Sequence, residues 1–278
     1  MNPTTSPDDQ PFRHYSLKHR VIAWISIHLF DQVTYTVRHG LIRGMKRKGG
    51  LGWLPASLSG ATETAEHRFW SDLDLRGLTV YDVGAFQGLL TLHFARKAKQ
   101  VICYEPNPRN RVRLLDNLSL NHIQNVRVRD VGLGSKPQDL SLVYNPLMPG
   151  GGSVEPKTVE QLLQSPAGIQ KEEIQVTTLD MELAAGLPAP GFIKIDIEGW
   201  EIEALRGARA TIMGYRPALF LEMHGETWNE KKRKVAEIVA CLNEFGYRDI
   251  RHVESGLPIT AENSDAAAEG HLYCPRTT

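Results

Sequence analysis

From position 79 onward, short apolar runs alternate with stretches whose apolar residues recur every three or four positions. The runs at 80–83, 101–104, 126–128, 192–195 and 218–221 have the length and β-branched content of buried strands. The segments 89–97, 109–121, 201–213 and 230–245 have the helical period, with Leu114, Leu115 and Leu118 on one stripe and Leu205, Ala208 and Ile212 on another. The order βαβαβ, an interruption, then βαβα predicts an α/β sheet whose strands run mostly parallel. Segments 247–250 and 271–274 finish it as an antiparallel edge pair, giving seven strands. The interruption, 134–173, contains Pro146, Pro149, the triple Gly150, Gly151 and Gly152, Pro156 and Pro166, which prevent a simple crossover. It reads as a mobile lid or substrate loop carrying short strand or helix pieces, with 147–165 shaping the acceptor pocket.

Before position 79 the pattern differs. Ile22, Ile25, Leu29, Val33, Val37, Leu41 and Met45 recur at steps of three and four, and Gly49-Gly50 supplies a stop. This predicts one long amphipathic helix, bent near Gly40. The chain therefore divides into an N-terminal helical extension, 1–60, and a main domain, 61–278. Charge sharpens the division. Residues 1–50 carry eight Lys and Arg against three acids, while the whole chain is balanced at 32 against 32. The cluster Arg43, Lys46, Arg47 and Lys48 suits the C-terminal dipole of a helix packed on its own domain; it equally suits an anionic membrane surface, with contact through 14–48.

A balanced net charge excludes the strongly basic surface of a dedicated nucleic-acid binder, so no nucleic-acid partner is expected. Cys103, Cys241 and Cys274 are odd in number and widely spaced, which argues against a disulfide framework and for a reducing compartment. The apolar run 21–30 is too short for a bilayer, which needs about 20 residues, and no signal-peptide pattern precedes or follows it. The expected location is cytoplasmic, with membrane-peripheral attachment as the alternative.

The chemistry is expected where strands end. Val80-Tyr81-Asp82-Val83-Gly84-Ala85-Phe86-Gln87-Gly88 is a strand, a glycine turn and a helix start. The dinucleotide fingerprint would need a second glycine at position 86, where this chain has Phe86. Instead an acid, Asp82, lies where a pyrophosphate would be repelled and an ammonium attracted. The second strand ends at Glu105, placed to accept both hydroxyls of a ribose, and Pro106 and Asn107 turn the chain away. After the third strand, Asp130 and Val131 suit the amino edge and face of an adenine. Together these strand ends describe a nucleoside with a cationic tail and no phosphate, as in S-adenosylmethionine. The fourth and fifth strands end in Asp196 and Glu198, and in Glu222 and His224. Ligands of open α/β sheets sit at the carboxyl ends of strands, so these four side chains face the same crevice. His224 is the natural general base, having an unperturbed pKa of about 6.5. The same four groups admit a divalent ion, although no compact ligand motif supports one and none is predicted.

The runs VYDVGAFQGLLTLHFA, YEPNPRNRVRLLDNLSLN, VTTLD, FIKIDIEGWEIEALRGA and PALFLEMH, in this order, resemble the FkbM family of S-adenosylmethionine-dependent methyltransferases. The similarity runs from about Glu66 to His224, and Arg43-Gly44-Met45 through Leu54-Pro55 resembles a lead-in of some members. The resemblance implies a Rossmann-like class I methyltransferase fold and methyl transfer to a hydroxyl of a sugar, polyketide or lipid-linked acceptor. It gives Asp82, Gly84, Gly88 and Glu105 to the cofactor, and Asp196, Glu198, Glu222 and His224 to the inner active site. Phe86 departs from the small polar residue common there. N-methylation is the runner-up, although the Asn/Asp-Pro-Pro-aromatic turn it usually needs is replaced by Asp196-Ile197-Glu198-Gly199. A nonenzymatic S-adenosylmethionine binder docked on a membrane is the alternative from another class.

Overall fold

The computed structural model describes residues 29–49, 64–145, 148–163 and 169–276. Its centre is a seven-stranded sheet built from β3 (Thr79–Val83), β4 (Gln100–Tyr104), β5 (Val126–Arg129), β10 (Phe192–Ile195), β11 (Ala218–Glu222), β12 (Arg251–His252) and β13 (His271–Cys274). The spatial order is β12-β13-β11-β10-β3-β4-β5. The five strands from β5 to β11 are parallel, and β13 runs antiparallel to both β11 and β12. This is the Rossmann-like α/β arrangement that the sequence predicts.

Strand alternation divides the core. Tyr81, Val83, Ile102, Tyr104, Ile193, Ile195, Leu219 and Leu221 face one side, where α6 (Glu201–Arg206), α7 (Arg209–Tyr215) and α8 (Trp228–Glu244) cover them. Val80, Val101, Cys103, Phe192 and Phe220 face the other, under α1 (Ala65–Asp72), α2 (Leu89–Lys97) and α3 (Pro108–Leu120). Both faces are buried, as a parallel sheet requires.

Four expectations are corrected. The segment 34–48 is an antiparallel hairpin, β1 (Thr34–Thr36) with β2 (Lys46–Lys48), and not part of a continuous helix; the proposed start at 22–28 and the domain boundary at 60/61 lie outside the described residues. Turns bring Val37, Ile42 and Met45 inward. Side-chain amides of α3 then act as a substitute neighbouring strand: Lys46 N–H donates to Asn121 Oδ1 at 2.8 Å and Lys48 N–H to Asn117 Oδ1 at 2.9 Å.

The interruption is a second sheet rather than an irregular loop. It comprises β6 (Gly132–Leu133), β7 (Gln138–Asn145), β8 (Met148–Ser153) and β9 (Gln170–Thr177), ordered β6-β9-β7-β8, with α4 (Pro156–Leu163) between β8 and β9. Alternation in β7 and β9 gives it a small core of Leu142, Tyr144, Ile174 and Val176. A short helix, α5 (Leu179–Ala184), returns the chain to β10.

The helix expected at 201–213 is two helices, because Gly207 is pressed against the Gly134 carbonyl. A Cβ there would lie 1.9 Å from that oxygen. Asp180 caps the second piece, accepting from Ala210 N at 3.0 Å and Thr211 N at 2.7 Å. The edge partner of β13 is β12 at 251–252, not 247–250. Among the described residues no helix is long and apolar enough to cross a membrane.

Candidate active site

The chain runs outward from β3 to β4 and β5, then returns beside β3 as β10 and continues to β11. Strand order reverses between β3 and β10, which opens a crevice at their carboxyl ends. A cavity of about 220 Å³ lies there. One wall is polar, with Glu105, Asn107, Asp196, Glu198 and Glu222. The second sheet supplies an apolar wall through Leu142, Val154, Ile174 and Val176.

At the β3/β4 end, Gly84 takes φ 83° and its Cα lies against the Asp196 carbonyl; a Cβ would be 1.8 Å from that oxygen. Phe86 also adopts a left-handed conformation, φ 51°, which points its N–H at Glu105. Phe86 N donates to Glu105 Oε2 at 2.7 Å and Asn107 N to Glu105 Oε1 at 2.9 Å. Burial of this carboxyl pushes its pKa up to about 7, despite those two backbone donors. Asn107 caps α3 by accepting from Arg109 N at 3.0 Å, while its Nδ2 is buried in the cavity wall with no partner among the described residues. A diol acceptor beside an unsatisfied buried donor fits a ribose-bearing cofactor. Gly84, Phe86, Glu105, Pro106, Asn107 and Asp196, all named for the cofactor from the sequence, line this cavity.

Other expected cofactor residues take different places. Asp82 is fully buried beneath the turn and does not line the cavity. Its Oδ2 accepts from Thr91 Oγ1 at 2.6 Å, and Lys194 Nζ lies 3.3 Å from its Oδ1. Burial raises its pKa in spite of both partners. An ammonium is thus already supplied by the protein, and Asp82 is not free to meet one on a ligand. Gly88 and Ala85 build the turn behind the cavity wall, Asp130 is exposed, and Val131 packs on the core.

Sequence reasoning missed Lys194. It stands in register with Asp82 on the neighbouring strand, donates to the Gly84 carbonyl at 2.7 Å, and reaches Asp196 Oδ2 at 3.0 Å. Burial works against its charge, but Asp196 and Asp82 override that and hold its pKa above the ordinary lysine value. The signal was a lone lysine inside the apolar run Phe192-Ile193-Lys194-Ile195.

At the β10/β11 end, His224 meets four carboxylates. Its Nδ1 is 2.9 Å from Glu201 Oε1, and its Nε2 lies 3.7 Å from Asp196 Oδ1, 3.7 Å from Glu198 Oε2 and 3.6 Å from Glu222 Oε1. Burial opposes its charge; Glu201 first, then Glu198 and Asp196, override it and lift the imidazole to about 10. These neighbours favour the doubly protonated ring, which has no lone pair for a substrate proton, so the general-base role expected of His224 would need that pull to be overcome. Glu201 was also missed: it is buried at the start of α6 and accepts from Ile197 N at 3.2 Å and Gly199 N at 3.0 Å. Among the described residues, one ligand atom each from Asp196, Glu222 and His224 lie within 4.8 Å of one another, so these three could hold a metal. His224 and Glu222 also border a second cavity of about 620 Å³ with Lys231, His252 and Glu254.

Comparison with known proteins follows this geometry. A sequence model described as the methyltransferase FkbM domain matches residues 82–248. Methyltransferase sdnD of Sordaria araneosa is 28% identical over 153 residues, covering 46% of this chain and 59% of that protein. The crystal structure of methyltransferase FkbM from Methylobacillus flagellatus KT is 19% identical, with 80% of this chain and 51% of that chain covered and a TM-score of 0.48. Ribosomal protein L11 methylase from Lactobacillus delbrueckii subsp. bulgaricus is 13% identical, with 77% of each chain covered and a TM-score of 0.44. The chain thus spans just over half the length of the first two relatives.

Proposed function

Since the chain belongs to the FkbM methyltransferase family, we propose that it is an S-adenosylmethionine-dependent O-methyltransferase acting on a hydroxyl of a small-molecule or glycan- or lipid-linked acceptor. The observation that carries this reading is the buried carboxyl of Glu105 at the end of β4, facing a cavity beside the unsatisfied Asn107 Nδ2. Each carboxylate oxygen accepts from one backbone N–H and the Asn110 side chain is a third donor, which leaves the ionised carboxylate acceptor capacity for the ribose. Gly84, Phe86, Pro106, Asn107 and Asp196 form the rest of the wall.

When bound, S-adenosylmethionine supplies an electrophilic methyl carbon on a sulfonium. Gly84, Glu105, Asn107 and Asp196 would hold it, and Glu198 and Glu222 would position the acceptor hydroxyl toward that methyl carbon. Such alignment supplies roughly 7 to 11 kcal/mol, against a factor of about 10² to 10⁴ from a general base. Asp196 is a weak base, because Lys194 and then His224 outweigh burial and hold it below the usual carboxylate range. Glu198 and Glu222, both lining the cavity, are the groups that take the proton.

Calorimetry with S-adenosylhomocysteine tests the cofactor role. Glu105→Gln should weaken binding about 100-fold or more, since each hydrogen bond to a charged group contributes about 1.5 to 3 kcal/mol. Equal affinity in both proteins removes Glu105 from the site; NAD binding better than S-adenosylhomocysteine removes the cofactor assignment. Radiolabelled methyl transfer into a library of hydroxyl compounds then identifies the acceptor.

A further inference from the structure

At the β10/β11 end four carboxylates converge on one imidazole, and three of them bring an oxygen to the same ring nitrogen, Nε2. Asp196 Oδ2 is already neutralised by Lys194 at 3.0 Å, which turns Oδ1 toward His224. Glu222 Oε1 approaches the same ring nitrogen from the adjacent strand. None of the three carboxylate oxygens around Nε2 is within hydrogen-bonding distance; all stand at 3.6 to 3.7 Å. Two ligands each about 2.1 Å from an ion and tetrahedrally disposed lie about 3.4 Å apart. The observed separations need a contraction of only a few tenths of an ångström to close on an ion.

A second feature is independent of those oxygens. The other ring nitrogen, Nδ1, is fixed by Glu201 at 2.9 Å, and Glu201 is itself anchored by two backbone N–H groups. Metal-ligating histidines almost always donate their second nitrogen to a carboxylate, carbonyl or water in this way, which sets the tautomer that leaves Nε2 as the ligand. The same bond accompanies the doubly protonated ring described above and also holds Nε2 toward the carboxylates, where an ion would take that proton's place.

We propose that Asp196, Glu222 and His224 bind a divalent cation, with Glu201 orienting the imidazole. The site belongs to the crevice described above, and its chemical use rests on the methyl-transfer reading. One nitrogen and two carboxylates favour an ion of the manganese, magnesium or zinc kind over calcium, which prefers all-oxygen sites. Three protein ligands leave open positions for water or the acceptor oxygen. A coordinated hydroxyl ionises more readily, and Glu198, the remaining carboxylate, receives its proton. Binding places the ion where the Nε2 proton otherwise sits, so the proton is released to solvent.

Manganese titration of the full chain decides the matter, read by calorimetry and by electron paramagnetic resonance. We expect one ion bound, at least tenfold weaker binding in Glu222→Gln and His224→Gln, and a 10- to 100-fold loss in Glu201→Gln. Protein labelled with ¹⁵N-histidine should show direct nitrogen coupling to the manganese, which a structural histidine would not give and which needs no variant. No binding at millimolar manganese, magnesium or zinc, wild-type affinity in Glu222→Gln, or the absence of nitrogen coupling overturns the site. Calorimetry with S-adenosylhomocysteine on the same preparations separates the two readings. Cofactor binding without manganese binding defeats the ion alone, and manganese binding without cofactor binding defeats the methyl-transfer reading alone.

Discussion

The two ends of the crevice hold their acids in opposite ways. At the β3/β4 end a single carboxyl, Glu105, is buried among backbone donors, and its pKa rises to about 7. At the β10/β11 end Asp196, Glu198, Glu201 and Glu222 crowd one imidazole and lift it to about 10. Burial dominates the first environment and neighbouring charge the second. The first suits a neutral diol, whose hydroxyls donate to the carboxylate once it is ionised; the second suits a cationic or polarised centre. Lys194 lies between them and belongs electrostatically to both Asp82 and Asp196.

The largest effect should come from that shared cation. Lys194→Met leaves two carboxylates without their buried partner, and breaking such a pair from one side costs about 3 to 5 kcal/mol. Urea denaturation should show the loss, and Asp196 should lose its fixed orientation at the same time. A variant within 1 kcal/mol of wild type would mean that the two ends are independent and that the contrast above is only local.

The pH dependence is the sharper comparison. Glu105 must be ionised to accept from the ribose in addition to its three protein donors, so S-adenosylhomocysteine affinity should rise about tenfold between pH 6 and 8 as the group titrates near 7. The stability of the unliganded protein should move the other way. A folded pKa raised above the unfolded value contributes stability that is fully present below the ordinary carboxylate pKa and lost as the pH rises through about 7. Glu105→Gln should flatten both curves. Affinity that is constant from pH 6 to 8 in the wild type would show that burial does not govern this carboxyl.

Legibility in the sequence follows the same physical line. The parallel strands were readable because strands buried on both faces are continuous apolar runs, and the acids at their ends stand out against them. Glu105, Asp196, Glu198, Glu222 and His224 were found that way. The second sheet was not, because Pro146, Pro149 and Gly150 to Gly152 mask the strands around them and its small core needs only Leu142 and Tyr144 of β7 with Ile174 and Val176 of β9. Lys194 was hidden because its meaning lies in register with Asp82, a relation between strands more than 100 residues apart. Glu201 was hidden by the turn that swings α6 back toward His224. The N-terminal pattern misled for another reason. Of the predicted stripe only Val37 and Met45 are buried among the described residues, and Ile42 rather than Leu41 is buried between them, a spacing of five and three that turns, not a helix, produce.

That hairpin provides the smallest test. It reaches the crevice only indirectly: Asn117 accepts from Lys48 N–H and donates to the Gln87 carbonyl at 2.8 Å, behind the glycine turn. Asn121 holds the outer edge alone, accepting from Lys46 N–H and donating to the Lys46 carbonyl at 2.7 Å. Asn121→Ala removes this pair and the bond that Asn121 Nδ2 donates to the Asn117 carbonyl at 2.7 Å, and leaves the side-chain link of Asn117 intact. Three neutral, partly solvated hydrogen bonds should cost about 1 to 2 kcal/mol of stability, with S-adenosylhomocysteine affinity changed less than twofold because neither Glu105 nor its donors move. A larger fall in affinity than in stability would tie the hairpin to the Glu105 end and make that end, like the other, dependent on charged and polar partners beyond the strands that carry it.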